Sequence, residues 1–182
     1  MPISESESAS FAALVMPHTP TMLRVAGALI GIADAEDAAQ EAILMAWQAW
    51  SQLRDHNALR SWLLRITVNV CQQWLRGEMG KRKRLTMPLL DESAEWIPAL
   101  GGDPGDSDHA DALDVRRALM QLKSDLRTVI VLRYYGGLDV MEIGVALGLP
   151  AGTVRTRLRR AYTILRDQLA TPLTIQEDDF HV

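Results

Sequence analysis

A chain of 182 residues has room for one ordinary domain or two small ones, and its 48% hydrophobic content excludes collagen-like, disulfide-stapled and wholly disordered chains. A single cysteine, Cys71, excludes an intramolecular disulfide, and no apolar run approaches the length that crosses a bilayer. The formal charge of -4 argues against a nucleic-acid partner, but 13 acids lie in three segments without lysine or arginine (5–7, 91–114 and 177–179), and removing those 13 from the -4 total leaves +9 elsewhere.

The first ten residues, MPISESESAS, are acidic and serine-rich, unlike a signal peptide, so a cytosolic protein is expected. From about Thr19 to Arg84 the apolar spacing is helical. MLRVAGALIGI predicts one short helix that Gly31 ends, and Asp34 is the expected N-cap of the next, AEDAAQEAILMAWQAW, whose early acids complement the helix dipole. After the polar loop SQLRDHN a third helix is predicted from about Ala58 to Arg76, with Leu59, Leu63, Ile66 and Val70 on its dry stripe. Ser61, Arg65, Asn69, Gln72 and Arg76 make a polar stripe on another side, and Cys71, in the apolar run ITVNVCQQWL, reads as a small buried residue. The block closes with the basic run KRKR at Lys81 to Arg84.

Residues 85–110 include GGDPGDSD, a composition that builds no core, and predict a flexible acidic linker. A second helical block starts near Asp111. In it Asp139 and Glu142 have capping-box spacing for the helix in LDVMEIGVAL, and Gly148 supplies its stop. The next helix follows after only a few residues, in PAGTVRTRLRRAYTILR, which holds five arginines and no acid to pair with them. Val154, Leu158, Ala161 and Leu165 recur at intervals of 4, 3 and 4 on one stripe. Opposite lie Gly152, Thr156, Arg159, Arg160 and Thr163, with Thr153, Arg155 and Arg157 on the flanks. Concentrated positive charge along a helix calls for an external anion, and phosphate is the commonest. Two helices joined by so short a turn, the second basic, read as a helix-turn-helix.

The segment LRTVIVLRYYGGLDVMEIGVALGLPAGTVRTRLRRAYTILRDQL resembles region 4 of bacterial sigma factors, in particular the extracytoplasmic-function group of the sigma-70 family. DAEDAAQEAILMAWQAW followed by RSWLLRITVNVCQQWLR resembles region 2 of the same group, and the likeness covers about residues 12 to 170. The fold implied is all-α, with a region 2-like helical domain over 12–84, the linker over 85–110, a region 4-like helix-turn-helix domain over 111–170 and a tail over 171–182. The resemblance also implies the partners: core RNA polymerase, promoter DNA and an anti-sigma protein.

Matched residue by residue, the likeness places Arg155, Thr156, Arg159 and Arg160 in the major groove of the -35 element and Arg157 on a phosphate. Arginine can grip guanine O6 and N7 with two bonds, and Thr156 can bond a phosphate or a base edge. Asp37, Gln40 and Glu41 match the positions that meet the clamp helices of the polymerase's largest subunit. Arg65, Asn69 and Gln72 match the element that reads the -10 sequence, and Asp55, His56 and Asn57 the loop that captures a base flipped from the opened strand. Trp62, Trp74 and Tyr162 are expected to be packing residues. Ala38 and Ala39 stand where larger aliphatic side chains are common, Ile43 where an aromatic is common, and Gly144 where alanine is usual, at a cost of about 1 kcal/mol in helix propensity.

Other classes fit less well. His18, His56, His109 and His181 are scattered without metal-ligand spacing, so no catalytic centre, metal or cofactor is expected. An autonomous helix-turn-helix regulator, which would dimerise to match two half-sites, is the runner-up. A helical module whose basic faces meet an acidic protein is a third reading.

Overall fold

The computed structural model describes residues 5–77 and 106–169, and every regular element among them is helical. The chain divides into two compact units, 1–95 and 96–182. The expected basic run at Lys81 to Arg84, the linker as far as residue 105 and the tail from 171 lie outside the described residues.

The first unit opens with a helix that the sequence reading did not anticipate, α1 (Glu5–Val15), whose serines and glutamates accompany a buried Phe11 and Val15 one turn apart. A short 3-10 turn over Met16–His18 leads into α2 (Thr19–Ile30), with Pro20 in the first turn, where a missing N–H costs nothing. Gly31, at φ 100 and ψ 158, both ends α2 and caps α3 (Ile32–Gln48). Asp34 is therefore not the cap. It is the third residue of α3, where its charge still meets the helix dipole.

Small residues give α3 its dry face: Ala35, Ala38, Ala39, Ala42 and Ala46 are all buried, so α2 and α4 (Leu59–Arg76) can pack close against it. Ala38 and Ala39 thus sit fully in the core. The dry face of α4 is wider than its expected stripe and turned from it. Leu59, Leu63, Val70 and Cys71 are buried as expected, but Leu64, Thr67, Val68 and Ser61, the last expected on the polar stripe, are buried too, while Ile66 is only half-buried. Thr67 enters this core because its hydroxyl donates to the Leu63 carbonyl at 2.9 Å, and buried Ser61 donates to the Ala58 carbonyl at 3.0 Å. Burial pushes the Cys71 thiol up to about 12, with the Glu41 carboxylate adding to the effect, so it stays neutral.

In the second unit α5 (Asp106–Gln121) begins five residues before the expected start of the block. The next helix, α6 (Ser124–Tyr134), is buried from Leu126 through Leu132 and forms the centre of the unit. Its buried Arg127 donates to the Met120 carbonyl near the end of α5 at 3.3 Å, a favourable place for a cation. After a turn in which Leu138 is fully buried come α7 (Val140–Leu147) and α8 (Ala151–Leu169).

Both ends of α7 are built by its own sequence. Asp139 Oδ1 accepts from the Glu142 N–H at 2.7 Å, and the Asp139 N–H donates back to Glu142 Oε2 at 2.8 Å, which is the expected capping box. At the other end Gly148 is left-handed (φ 65, ψ 36), the Leu149 N–H donates to the Gly144 carbonyl at 2.8 Å, and the Gly148 N–H to the Val145 carbonyl at 3.4 Å, a Schellman closure. This closure also accounts for Gly144. A Cβ there would stand 2.8 Å from the Leu149 carbonyl oxygen, so the returning turn requires glycine where the sequence suggested only a propensity cost.

Candidate nucleic-acid interface

The helix α8 is anchored by buried Val154, Leu158, Ala161, Tyr162 and Leu165. That anchoring fixes what points outward: Thr156, Arg159, Arg160 and Thr163 are exposed, while Arg155, Arg157 and Thr153 are half-buried on the flanks, as their spacing predicts. Thr156 Oγ1 donates to the Gly152 carbonyl at 2.9 Å, so its proton is already used and its lone pairs remain available to accept. Tyr162 packs edge-on against Tyr134 with ring centres 5.9 Å apart, and their hydroxyls are hydrogen-bonded.

One expectation for this helix needs correction. The stretch itself holds no acid, but α6 supplies one: Arg157 Nε lies 3.6 Å from Asp125 Oδ2. Arg166, the last of the five, lies 3.8 Å from Asp167 just beyond the stretch. Sequence spacing within one helix gives no sign of an ion pair made between two.

In the first unit Arg65 and Asn69 are exposed on α4 and Gln72 is half-buried, one side of a single helix. The loop before α4 is held by its own chemistry. Asp55 Oδ1 accepts from the Asn57 N–H at 2.9 Å and so caps the short 3-10 turn His56–Ala58. His56 and Asn57 both face solvent. Behind the loop stands an aromatic group that sequence reasoning missed. Trp50 meets Phe11 at 5.0 Å, His56 at 5.5 Å and Trp62 at 6.4 Å between ring centres. The four residues come from α1, the turn after α3, the loop and α4, and neither a helical nor a strand period links them.

On α3 the acidic and amide positions separate. Asp37 and Gln40 are exposed, with Gln40 Nε2 donating to Glu36 Oε1 at 3.2 Å. Leu44, on the same side one turn further along, is 56% exposed. Glu41 is turned inward to half-burial, and its Oε2 accepts from Trp74 Nε1 of α4 at 2.8 Å. Glu41 thereby bridges two helices. Among the described residues no group of three or more His, Cys, Asp or Glu is placed to hold a metal ion, and no helix is long and apolar enough to cross a membrane.

These two surfaces belong to segments with known counterparts. Residues 14–80 match the model of Sigma-70 region 2, and residues 112–165 match that of Sigma-70 region 4. The chain is 30% identical over 164 residues to the RNA polymerase sigma-E factor of Streptomyces coelicolor, an alignment covering 90% of this chain and 88% of that protein. It is 34% identical over 160 residues to the ECF RNA polymerase sigma factor SigE of Mycolicibacterium smegmatis, covering 86% of this chain and 60% of that one. The chain belongs to the extracytoplasmic-function group of the sigma-70 family. Two of the curated relatives it matches are longer, and this sigma-family chain spans 34% and 60% of their lengths. Its fold is also that of the sigma factor RpoE from Bartonella quintana, solved with the anti-sigma factor NepR, at a TM-score of 0.67 and 24% identity over 90% of this chain and 99% of that one. Sigma region 2 therefore takes in the end of α1 and all of α2 through α4, and region 4 runs from α5 to the last turns of α8.

Proposed function

We propose that this chain directs promoter-specific initiation by core RNA polymerase in the cytoplasm, with the polymerase supplying the catalytic chemistry. The observation that carries the reading is the presence of both sigma regions, 2 and 4, in order in one chain. Region 4 docks duplex DNA at the -35 element. Arg155, Arg159 and Arg160 project from a helix whose buried face fixes their direction, a suitable frame for gripping guanine edges, while Arg157, turned toward Asp125, contacts the phosphate backbone beside them. The back-bonded Thr156 hydroxyl is an acceptor, so it suits a base amino group better than a phosphate oxygen.

Region 2 meets the polymerase through Asp37 and Gln40 on the exposed side of α3. Glu41 contributes by tying α3 to α4 and not as a direct contact. The opened -10 strand lies along Arg65, Asn69 and Gln72, and its flipped base enters the loop at Asp55, His56 and Asn57. An anti-sigma protein holds the chain inactive until it is needed, as the family resemblance implies.

The test is co-purification with core RNA polymerase. Stoichiometric binding is expected, and Gln40→Ala should weaken it without unfolding the chain. A folded chain that leaves core untouched yet binds bare duplex DNA would favour an autonomous helix-turn-helix regulator.

A further inference from the structure

We propose that Trp50 is the positioning residue of the strand-capture loop: seated on Phe11 of α1, its ring presents an edge-on support that sets His56 for an unpaired base. The proposal rests on the reading of residues 53–57 as the loop that receives the opened strand.

Trp50 begins a short 3-10 turn, Trp50–Gln52, just beyond the end of α3. Its ring is half-buried and lies between a buried residue and an exposed one. On the inner side Phe11 is only 7% exposed and stands perpendicular to it, at 90° and 5.0 Å, while Phe11 also meets Trp47 edge-on at 4.8 Å. On the outer side Trp50 meets exposed His56 at 5.5 Å and 63°. Trp62 of α4 closes the group at 6.4 Å and 60°. A continuous ring-to-ring path therefore runs from the core into the loop. These separations and angles fall within the range in which aromatic edges and faces attract.

The backbone gives the loop a reason to need such support. Asp55 is extended, at φ -118 and ψ 108, between two short 3-10 turns, and Leu53, at φ -76 and ψ 102, is extended as well. Each turn closes locally, with the Leu53 N–H on the Trp50 carbonyl at 3.1 Å and the Ala58 N–H on the Asp55 carbonyl at 3.1 Å. Neither bond ties the loop to the helices beneath. The ring contacts of Trp50 with Phe11 of α1 and Trp62 of α4 do, and His56 joins them through Trp50. A loop ordered in advance binds an unstacked base without first losing its own freedom. Stacking groups are the chemistry that recognises a single strand with little regard to sequence. The support also gives α1 a function, because Phe11 lies ahead of the segment that matches region 2, which begins at residue 14.

The experiment measures the affinity of holoenzyme for a single-stranded oligonucleotide carrying the -10 element, with core binding measured in parallel. Trp50→Ala should lower the affinity about tenfold, Trp50→Phe should restore most of it, and core binding should not change. Because Trp50 acts through His56, the double variant with His56→Ala should lose little more than His56→Ala alone. Fully additive losses would overturn the positioning role and make Trp50 a direct contact. If Trp50→Ala fails to fold, Trp50→Leu, which fills the site without a ring, carries the same expectation. Normal affinity in the Trp50 variants beside a weakened His56→Ala would overturn the role of Trp50 alone. Normal affinity in both would defeat the loop reading beneath it.

Discussion

The two surfaces proposed to meet DNA are built on opposite plans. In region 4 the groups that reach outward are long cations on the face of one helix, and their direction follows from the five buried side chains on its other face. In region 2 the loop ahead of α4 takes its shape from an Asp55 cap and from rings contributed by α1, the turn after α3 and α4 itself. A duplex is a regular object that a rigid convex rod can fit. An extruded base is a flat, flexible object that needs a prepared pocket. In the proposed roles a periodic surface is matched to a periodic target, and a single base to a site assembled from separated parts.

Removing both Arg159 and Arg160 by substitution with alanine should lower transcription from promoters that depend on the -35 element by at least tenfold, since each bidentate guanine contact is worth about 1–3 kcal/mol. Core binding and thermal stability should stay as they are, as both side chains are exposed. Loss of core binding would show that the helix has been given the wrong partner.

Next in size is Gly144→Ala. Propensity alone predicts stabilisation by about 1 kcal/mol. The 2.8 Å approach of the Leu149 carbonyl oxygen reverses the sign, and region 4 should lose about 1–3 kcal/mol in a denaturant titration, as overpacked sites do. A gain in stability would mean that the turn yields easily, and that the rigidity ascribed to the helix-turn-helix is overstated.

Glu41→Ala sharpens the contrast from the region 2 side. It leaves the half-buried Trp74 indole without its acceptor and should cost about 1–2 kcal/mol of stability, visible as a shift in tryptophan fluorescence on the way to unfolding. Gln40→Ala, on the exposed side of the same helix, should leave stability unchanged and weaken polymerase binding. Equal effects of the two on binding, with neither on stability, would return Glu41 to the contact surface.

The smallest effect concerns His18, in the turn between α1 and α2. Burial, and then the Arg60 guanidinium, lower its pKa from the ordinary 6.5. Below pH 6.5 the unfolded chain takes up a proton that the folded one resists, so stability falls with pH until the folded pKa is passed. Midpoints of thermal unfolding between pH 7.5 and 5.5 should drop more for the natural chain than for His18→Gln. The difference should be slight, because the imidazole remains partly in water.

Most of region 4 was legible in the sequence because its rules are local. The capping box at Asp139 and Glu142, the stop at Gly148 and the stripe through Val154, Leu158, Ala161 and Leu165 all depend on residues a few positions apart. Periodicity failed where tertiary contact decides. Gly144 is explained by a turn that folds back on it, Glu41 by a tryptophan 33 residues away, and Arg157 by an aspartate on another helix. On α4 the dry face is wider than a single stripe because α2 and α3 both pack on it, and a hydroxyl that bonds its own helix, such as that of Thr67, can be buried there at little cost. The ring group around Trp50 left no pattern to read, since its members are spaced by the fold and not by a helical repeat.

The most direct test of the division of labour is initiation by reconstituted holoenzyme on two templates, a full duplex promoter and the same promoter already opened across the -10 element. Arg160→Ala is expected to be defective on both, because each still needs duplex recognition at -35, whereas His56→Ala should be markedly defective on the duplex and less so on the opened template, where melting no longer has to be driven and only the weakened grip on the unpaired base remains. A His56→Ala defect of equal size on both templates, or an Arg160→Ala defect cured by opening the -10 element, would contradict that division.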